Sequence, residues 1–251
     1  MKGSLIVDRK EKESIEMKNK IIKETAWIGD KYVKGKIKAI VLNFHGLGGG
    51  LKQNPSQEEL AWAEKGGLVV FPYYGPWSWM NREARAFVDE LIESIIVEYK
   101  LKKDIPIIST GGSMGGYSSL LFTRYSKHKI KACYANCPVC DLKYHFSERP
   151  DLPATIHAAF RGYREGMEEL FVEHSPVKQI ENMPDIPYMI IHGGKDPAVN
   201  QKAHSDKMVK LMKKRRMRIE YIQIPEMGHC APIPQKEWER AVSFVIKHFG
   251  K

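Results

Sequence analysis

Short apolar runs rich in Val, Ile and Tyr recur along this chain, and between them apolar residues return every three or four positions. Such alternation predicts an α/β fold with a mainly parallel central sheet flanked by crossover helices. The expected core strands are 39–44, 68–71, 105–109, 131–135, 186–192 and 218–224, each followed by Gly, Pro or polar residues that open a loop. Helical spacing puts Phe87, Val88, Leu91, Ile95 and Tyr99 on one face of a helix over 82–99, and similar periodicity predicts helices over 117–125 and 238–249. Ahead of the first core strand, 15–22 and 25–33 read as the strands of a peripheral hairpin. From 141 to 183 no strand-like run occurs. Prolines, charges and aromatics there predict short helices, inserted as a small cap over the strand ends or as surface decoration.

Composition narrows this picture. With 251 residues, 43% apolar and 28% charged, the chain has material for one full-sized core, so 1–251 is expected to form a single domain with a cap insertion over 141–183. The longest uncharged run, 105–123, contains four glycines, four serines and a proline, which predicts no membrane span. Charges at Asp8, Arg9, Lys10 and Glu11 interrupt the N-terminus before an apolar segment can form, so no secretory signal is expected and the protein is read as cytoplasmic. The net charge of +10 is concentrated in two places. Residues 1–38 carry eleven basic and six acidic side chains, and 207–218 carry seven basic and none acidic. In the second run Met208, Leu211 and Met212 mark one buried stripe of a helix whose basic face is solvated. No nucleic-acid module or aromatic interleaving accompanies it, so no nucleic-acid partner is expected, although the charge can steer anionic substrates. Cys137 and Cys140 have the spacing of a redox dithiol or half a zinc site, but Cys133 and Cys230 form no second such pair. Reduced structural cysteines and no metal are the expectation.

The chemistry is carried by Gly111-Gly112-Ser113-Met114-Gly115, a G-x-S-x-G segment between a predicted strand and a predicted helix. There a sharp turn projects Ser113 above the sheet, and the helix N-terminus and the Met114 amide favour developing negative charge. A serine hydroxyl needs a neighbouring base, and two later loops supply candidates. Asp196 lies in the turn after the strand ending at His192, and His229 lies in the loop after strand 218–224. The order Ser113, Asp196, His229 is that of an α/β-hydrolase triad, with the aspartate orienting the imidazole. Glu226 is the rival acid, while His128, His192 and His248 compete less well as the base. The loop His45-Gly46-Leu47-Gly48-Gly49-Gly50 supplies a second oxyanion donor, the Leu47 amide first and Gly48 second. Tyr73, Tyr74, Trp77 and Trp79 form either an aromatic wall for an acyl group or sugar ring, or anchors of their own loop.

Through His45-Gly46-Leu47-Gly48, Gly111 to Gly115, the stretch from His192 to Asp196, the Gly228-His229 pair and Ser175-Pro176, the chain resembles the α/β-hydrolases. Within them it is similar to the prolyl-oligopeptidase-like and small carboxylesterase branch. The resemblance implies a serine hydrolase with Ser113 as nucleophile, His229 as general acid and base, and Asp196 as its orienting group, without metal or organic cofactor. Peptidase members of that branch usually carry a large N-terminal propeller, whereas about forty residues precede the first predicted core strand here. The expectation is therefore a carboxylesterase acting on a small-molecule ester through an acyl-enzyme. A peptidase of short peptides and a non-catalytic binding protein on the same fold are the alternatives. A homo-oligomer stays open.

Overall fold

The computed structural model describes residues 2–250, with side chains from Glu13 onward. In chain order, α1 (Lys2–Glu24) leads into β1 (Ala26–Ile28), β2 (Ala39–Phe44), α2 (Gln57–Glu64), β3 (Gly67–Pro72) and α3 (Arg82–Glu98). Then follow β4 (Ile107–Gly112), α4 (Met114–Tyr125) and β5 (Ile130–Asn136), after which α5 (Leu142–Phe146), α6 (Leu152–Ala159) and α7 (Met167–Glu173) occupy the 141–183 segment. The chain closes with β6 (Tyr188–Gly193), α8 (Lys207–Lys214), β7 (Ile219–Ile224) and α9 (Gln235–Ile246).

The strands form one seven-stranded sheet in the order β1-β3-β2-β4-β5-β6-β7. Every pair is parallel except β1 with β3. Because helices cover both faces, the central strands are apolar on both sides, and Ala39, Ile40, Val41 and Leu42 are all fully buried. The sheet separates two cores. Ile40, Leu42, Val70, Val88, Leu91 and Ile95 pack on one face, while Val41, Trp62, Ile108, Phe244 and Val245 pack on the other.

From β2 the chain moves outward to β3 and then crosses back to β4 on the far side of β2. That reversal splays the loops after β2 and β4 apart and opens a crevice at the carboxyl ends of the strands, the usual ligand position in such sheets. Two strands begin later than their apolar runs suggest. Pro106 and Pro187 have no amide to donate, although the carbonyl of each accepts from a neighbouring strand, Pro106 from Ile40 and Pro187 from Cys133.

The expected hairpin over 15–22 and 25–33 is corrected. The first of these stretches is part of α1, and the second keeps only the three residues of β1, paired antiparallel with β3. Ile15, Met17 and Ile21 are exposed, so the alternation of apolar and charged residues there does not mark a buried sheet face. Glu, Lys and Met are strong helix formers, and the helix is held along α3 by polar contacts. Lys23 pairs with Glu98 at 2.6 Å, Lys18 with Glu90 at 3.4 Å, and Ser94 donates to Asn19 at 3.0 Å. The stretch 207–218 contains α8, with Met208, Val209 and Met212 buried and its lysines turned outward. Among the described residues no helix is long and apolar enough to cross a membrane.

Among the described glycines, the one with least room for a side chain is at the β4–α4 elbow. A Cβ on Gly115 would lie 2.0 Å from the Phe44 carbonyl oxygen at the end of β2, and one on Gly111 would lie 2.5 Å from the Gly115 backbone. Only glycine allows this approach. Gly115→Ala is expected to cost at least about 3 kcal/mol, the upper end of overpacking effects, because backbone rather than a flexible side chain must move. Chemical-denaturation midpoints of the variant and the wild type measure it.

Candidate active site

Ser113 is the first residue beyond β4 and sits at the N-terminus of α4 with φ 57° and ψ −124°. A non-glycine residue in this region stores strain of roughly 1–3 kcal/mol and persists only where its surroundings hold it. Here the Ser113 amide donates to the Asn136 carbonyl at 2.9 Å, and the elbow glycines fix both flanks. The hydroxyl is thereby turned toward the loops after β6 and β7.

Those loops bring up the other two predicted residues. His229 Nε2 lies 2.8 Å from Ser113 Oγ, and His229 Nδ1 lies 2.7 Å from Asp196 Oδ2. Since the ionised carboxylate only accepts, Nδ1 carries the hydrogen and Nε2 presents its lone pair to the serine hydroxyl. Asp196 itself is deeply sunk, its side chain 1% exposed. Its Oδ1 accepts from the amides of Ala198 at 2.8 Å and Val199 at 2.9 Å. Burial works against the charge of Asp196, yet the hydrogen bonds from His192, His229 and these two amides hold its pKa far below the ordinary carboxylate range. For His229, burial opposes the imidazolium, but the contacts with Asp196 and Cys137 win and raise the pKa to about 9.

The loop after β2 passes beside the nucleophile position, where a Cβ on Gly46 would lie 3.9 Å from Ser113 Cβ. Among the described residues, the Leu47 and Met114 amides make no hydrogen bond, which leaves both able to receive an oxyanion. Gly48 is excluded from that role because its amide donates to the Pro76 carbonyl at 3.0 Å. Around this point lies a cleft of about 710 Å³, with Ser113, His229, Phe71, Lys52, Arg149 and Cys230 in its wall. Arg149 is the contribution of the 141–183 segment to the cleft, whereas Leu142, Leu152, Ile156, Phe160 and Leu170 from the same segment pack into the main core.

Other candidates fall away on geometry. Glu226 is exposed and pairs with Lys195. His248 contacts the Phe244 carbonyl of its own helix, and His128 contacts the Asp89 carbonyl. The aromatic loop anchors itself and does not wall the cleft. Tyr74 donates to the His45 carbonyl and accepts from the Ser118 hydroxyl, Trp79 is buried with its indole hydrogen on Thr155, and Trp77 is exposed and lines a separate pocket from the one that holds Ser113. All four cysteines are free thiols, but Cys137 and Cys230 lie beside His229 and are not part of the apolar packing alone.

Two features were not anticipated from sequence. His192, at the end of β6, lies behind Asp196: its Nε2 is 3.0 Å from the Val199 carbonyl and 3.3 Å from Asp196 Oδ2, and its Nδ1 is 2.6 Å from Ser205 Oγ. A carbonyl only accepts, so His192 carries hydrogen on Nε2 and buttresses the aspartate. Further back, Glu148 receives His145 Nδ1 at 2.5 Å, His204 Nε2 at 2.9 Å and the Asn200 amide at 2.7 Å. It thus ties the 141–183 segment to the π-helical turn Lys202–Asp206 and to the loop that carries Asp196. The His145-x-x-Glu148 spacing was the available sequence signal, since residues three apart share a helix face.

A mainly parallel sheet with one antiparallel edge, a serine elbow at its switch point and the residue order Ser, Asp, His define an α/β-hydrolase. Residues 94–251 match the prolyl oligopeptidase family, and the chain belongs to that family. No curated protein matches it in sequence. The fold is similar to that of a puromycin-hydrolyzing peptidase from Mycobacterium tuberculosis (18% identity, TM-score 0.69, 86% of this chain and 35% of that one). It is also similar to Pyrococcus horikoshii acylaminoacyl peptidase (14%, 0.74, 90% and 39%) and to esterase B from Lactobacillus rhamnosis (12%, 0.64, 98% and 95%). The chain therefore spans little more than a third of the length of these two peptidases and nearly all of the esterase.

Two measurements check the electrostatics of the site. In an NMR titration the His229 imidazole should titrate near pH 9, and in Asp196→Asn it should fall toward the ordinary histidine value of about 6.5, because burial is then opposed by the Cys137 contact alone. Glu148 has its pKa lowered from 4.5 to about 2: burial opposes this, but its hydrogen bonds to His145 and His204 prevail. A depressed carboxylate stabilises the fold fully above its unfolded pKa and loses that contribution as pH falls through the folded value. Unfolding free energy should decline between pH 4.5 and 2, and Glu148→Gln should remove on the order of 2 kcal/mol at neutral pH while flattening that decline.

Proposed function

We propose that this protein is a serine hydrolase of carboxylic esters that works through an acyl-enzyme on Ser113. The observation that carries the reading is the hydrogen-bonded relay from Asp196 through His229 to Ser113, at 2.7 Å and 2.8 Å, with the serine in strained backbone. In the first step His229 Nε2 removes the hydroxyl proton as Ser113 Oγ attacks the acyl carbon. Negative charge gathers on the carbonyl oxygen, where the Leu47 and Met114 amides and the N-terminus of α4 stabilise it. His229 then gives its proton to the departing alkoxide, and a water molecule, activated by the same nitrogen, releases the acid. Asp196 keeps the imidazole in the required tautomer and stabilises the imidazolium formed in between.

Ester cleavage is supported by the presence of an esterase among the structural neighbours of this fold. Hydrolysis of short peptides is the second reading, supported by the family match. The protein is proposed to work in the cytoplasm on small molecules, the 141–183 segment lending Arg149 to one wall of the cleft.

A rate panel of short-chain and aromatic p-nitrophenyl esters against aminoacyl p-nitroanilides separates the two readings. Ester turnover lost in Ser113→Ala is the expected result, and anilide turnover exceeding it would replace the esterase with the peptidase. Asp196→Asn should lower kcat on the order of 10⁴-fold. Since only neutral His229 can act as base, kcat/KM should rise with pH through about 9.

A further inference from the structure

The relay has a second chemical neighbourhood that hydrolysis does not use. Cys137 follows β5 and Cys230 follows His229, and both hold left-handed backbone, with φ 45° and 47°. These conformations aim the two thiols at one point. Cys137 Sγ, Cys230 Sγ and a His229 ring nitrogen all lie within 4.8 Å of one another. Cys230 Sγ also lies 3.9 Å from the Asn136 carbonyl. Cys137 is buried, whereas Cys230 is exposed in the cleft wall and gives a solute access to the cluster.

Two thiolates and an imidazole are the donor set of a soft or borderline divalent cation, and not of magnesium or calcium. Tetrahedral zinc, with bonds of about 2.3 Å to sulfur and 2.0 Å to nitrogen, spaces such donors roughly 3.5–3.8 Å apart. Donors already within 4.8 Å reach that spacing by displacements of about an ångström. The surroundings are also prepared. Behind the imidazole stands Asp196, the carboxylate partner that metal-bound histidines characteristically have. The other His-rich cluster lacks this readiness, because His204 Nδ1 accepts the Cys140 and Asp141 amides and its Nε2 is taken by Glu148.

We infer that Cys137, Cys230 and His229 form an inhibitory site for a thiophilic divalent cation, zinc above all, whose binding takes His229 out of the relay to Ser113. The imidazole has two nitrogens, one committed to Asp196 and the other to Ser113. Whichever one the metal takes, the relay is broken. Binding releases whatever protons the two thiols and the coordinating nitrogen carry and involves no electron transfer. The inhibition rests on the serine-hydrolase reading, but the binding does not.

Cobalt titration of the reduced, metal-free protein tests the binding directly. Wild type should develop a near-ultraviolet thiolate-to-cobalt band that zinc abolishes, and Cys230→Ser should weaken cobalt and zinc binding by at least about tenfold. Cys137→Ser should do the same, and the exposed Cys230 position decides should that buried variant fail to fold. Cys140→Ser, outside the cluster, should leave the metal affinity where it is. In the ester assay zinc should inhibit reversibly, with recovery on chelation and with the midpoint shifted in Cys230→Ser when each variant is scaled to its own metal-free rate. No thiolate-to-cobalt band in wild type, or a band unchanged in Cys230→Ser, overturns the inference. Absence of ester turnover with the band intact sinks the esterase and leaves the metal site standing.

Discussion

The rest of the site depends on one backbone contact, the seating of Gly115 against the end of β2. At that point the first turn of α4 lies so close to the Phe44 carbonyl that no side chain fits between them. The contact does two things at once. It forces the chain from β4 into α4 through a turn so sharp that Ser113 takes a left-handed conformation, and it draws the β2 loop, with Gly46 and Leu47, up to the same serine. Ser113 and the Leu47 amide, nearly seventy positions apart, are thus brought together by a single close approach. Because neighbouring strands in a parallel sheet are hydrogen-bonded in fixed register, Phe44 opposite Gly111, the approach cannot relax by sliding one strand along the other.

On the far side of Ser113 the governing constraint is electrostatic. Asp196 is almost wholly withdrawn from water, and a carboxylate so placed keeps its charge only with hydrogen-bond donors on its oxygens. Two backbone amides and two imidazoles meet that demand. The consequence for His229 is a fixed tautomer and a strong pull on its proton. His192 and Ser205 extend the arrangement inward, and Glu148 ties the loop to the 141–183 segment. The site is therefore rigid for the same reason that its acid is charged: every donor that holds the ionised form also holds the geometry.

How much of this could be read from residues alone follows from the range of each interaction. The core strands were legible because strands covered on both faces need unbroken apolar runs, and the elbow was legible because only small residues permit it. Asp196 and His229 were reached by requiring that a nucleophile have a base and the base an orienting acid. Residues 15–22 misled because alternating apolar and charged positions there belong to a helix that leaves Ile15, Met17 and Ile21 exposed. The aromatic loop misled in another way. Trp79 and Tyr74 find partners in Thr155 and Ser118, residues far along the chain, and no local pattern announces such pairings. The cluster of Cys137, Cys230 and His229 was hidden for a related reason, since β5 and the loop after β7 meet only once the sheet is assembled.

Specificity sits at a different level from the relay. Nothing in the elbow or in the Asp196 cage distinguishes an ester from an amide, since both pass through the same tetrahedral oxyanion. The distinction lies in the leaving group, whose nitrogen must receive a proton from His229 before it can depart, whereas an alkoxide leaves more readily. Around this centre the cleft offers Phe71 with Lys52 and Arg149 beside it, whose charges are met by Glu59 and Asp151.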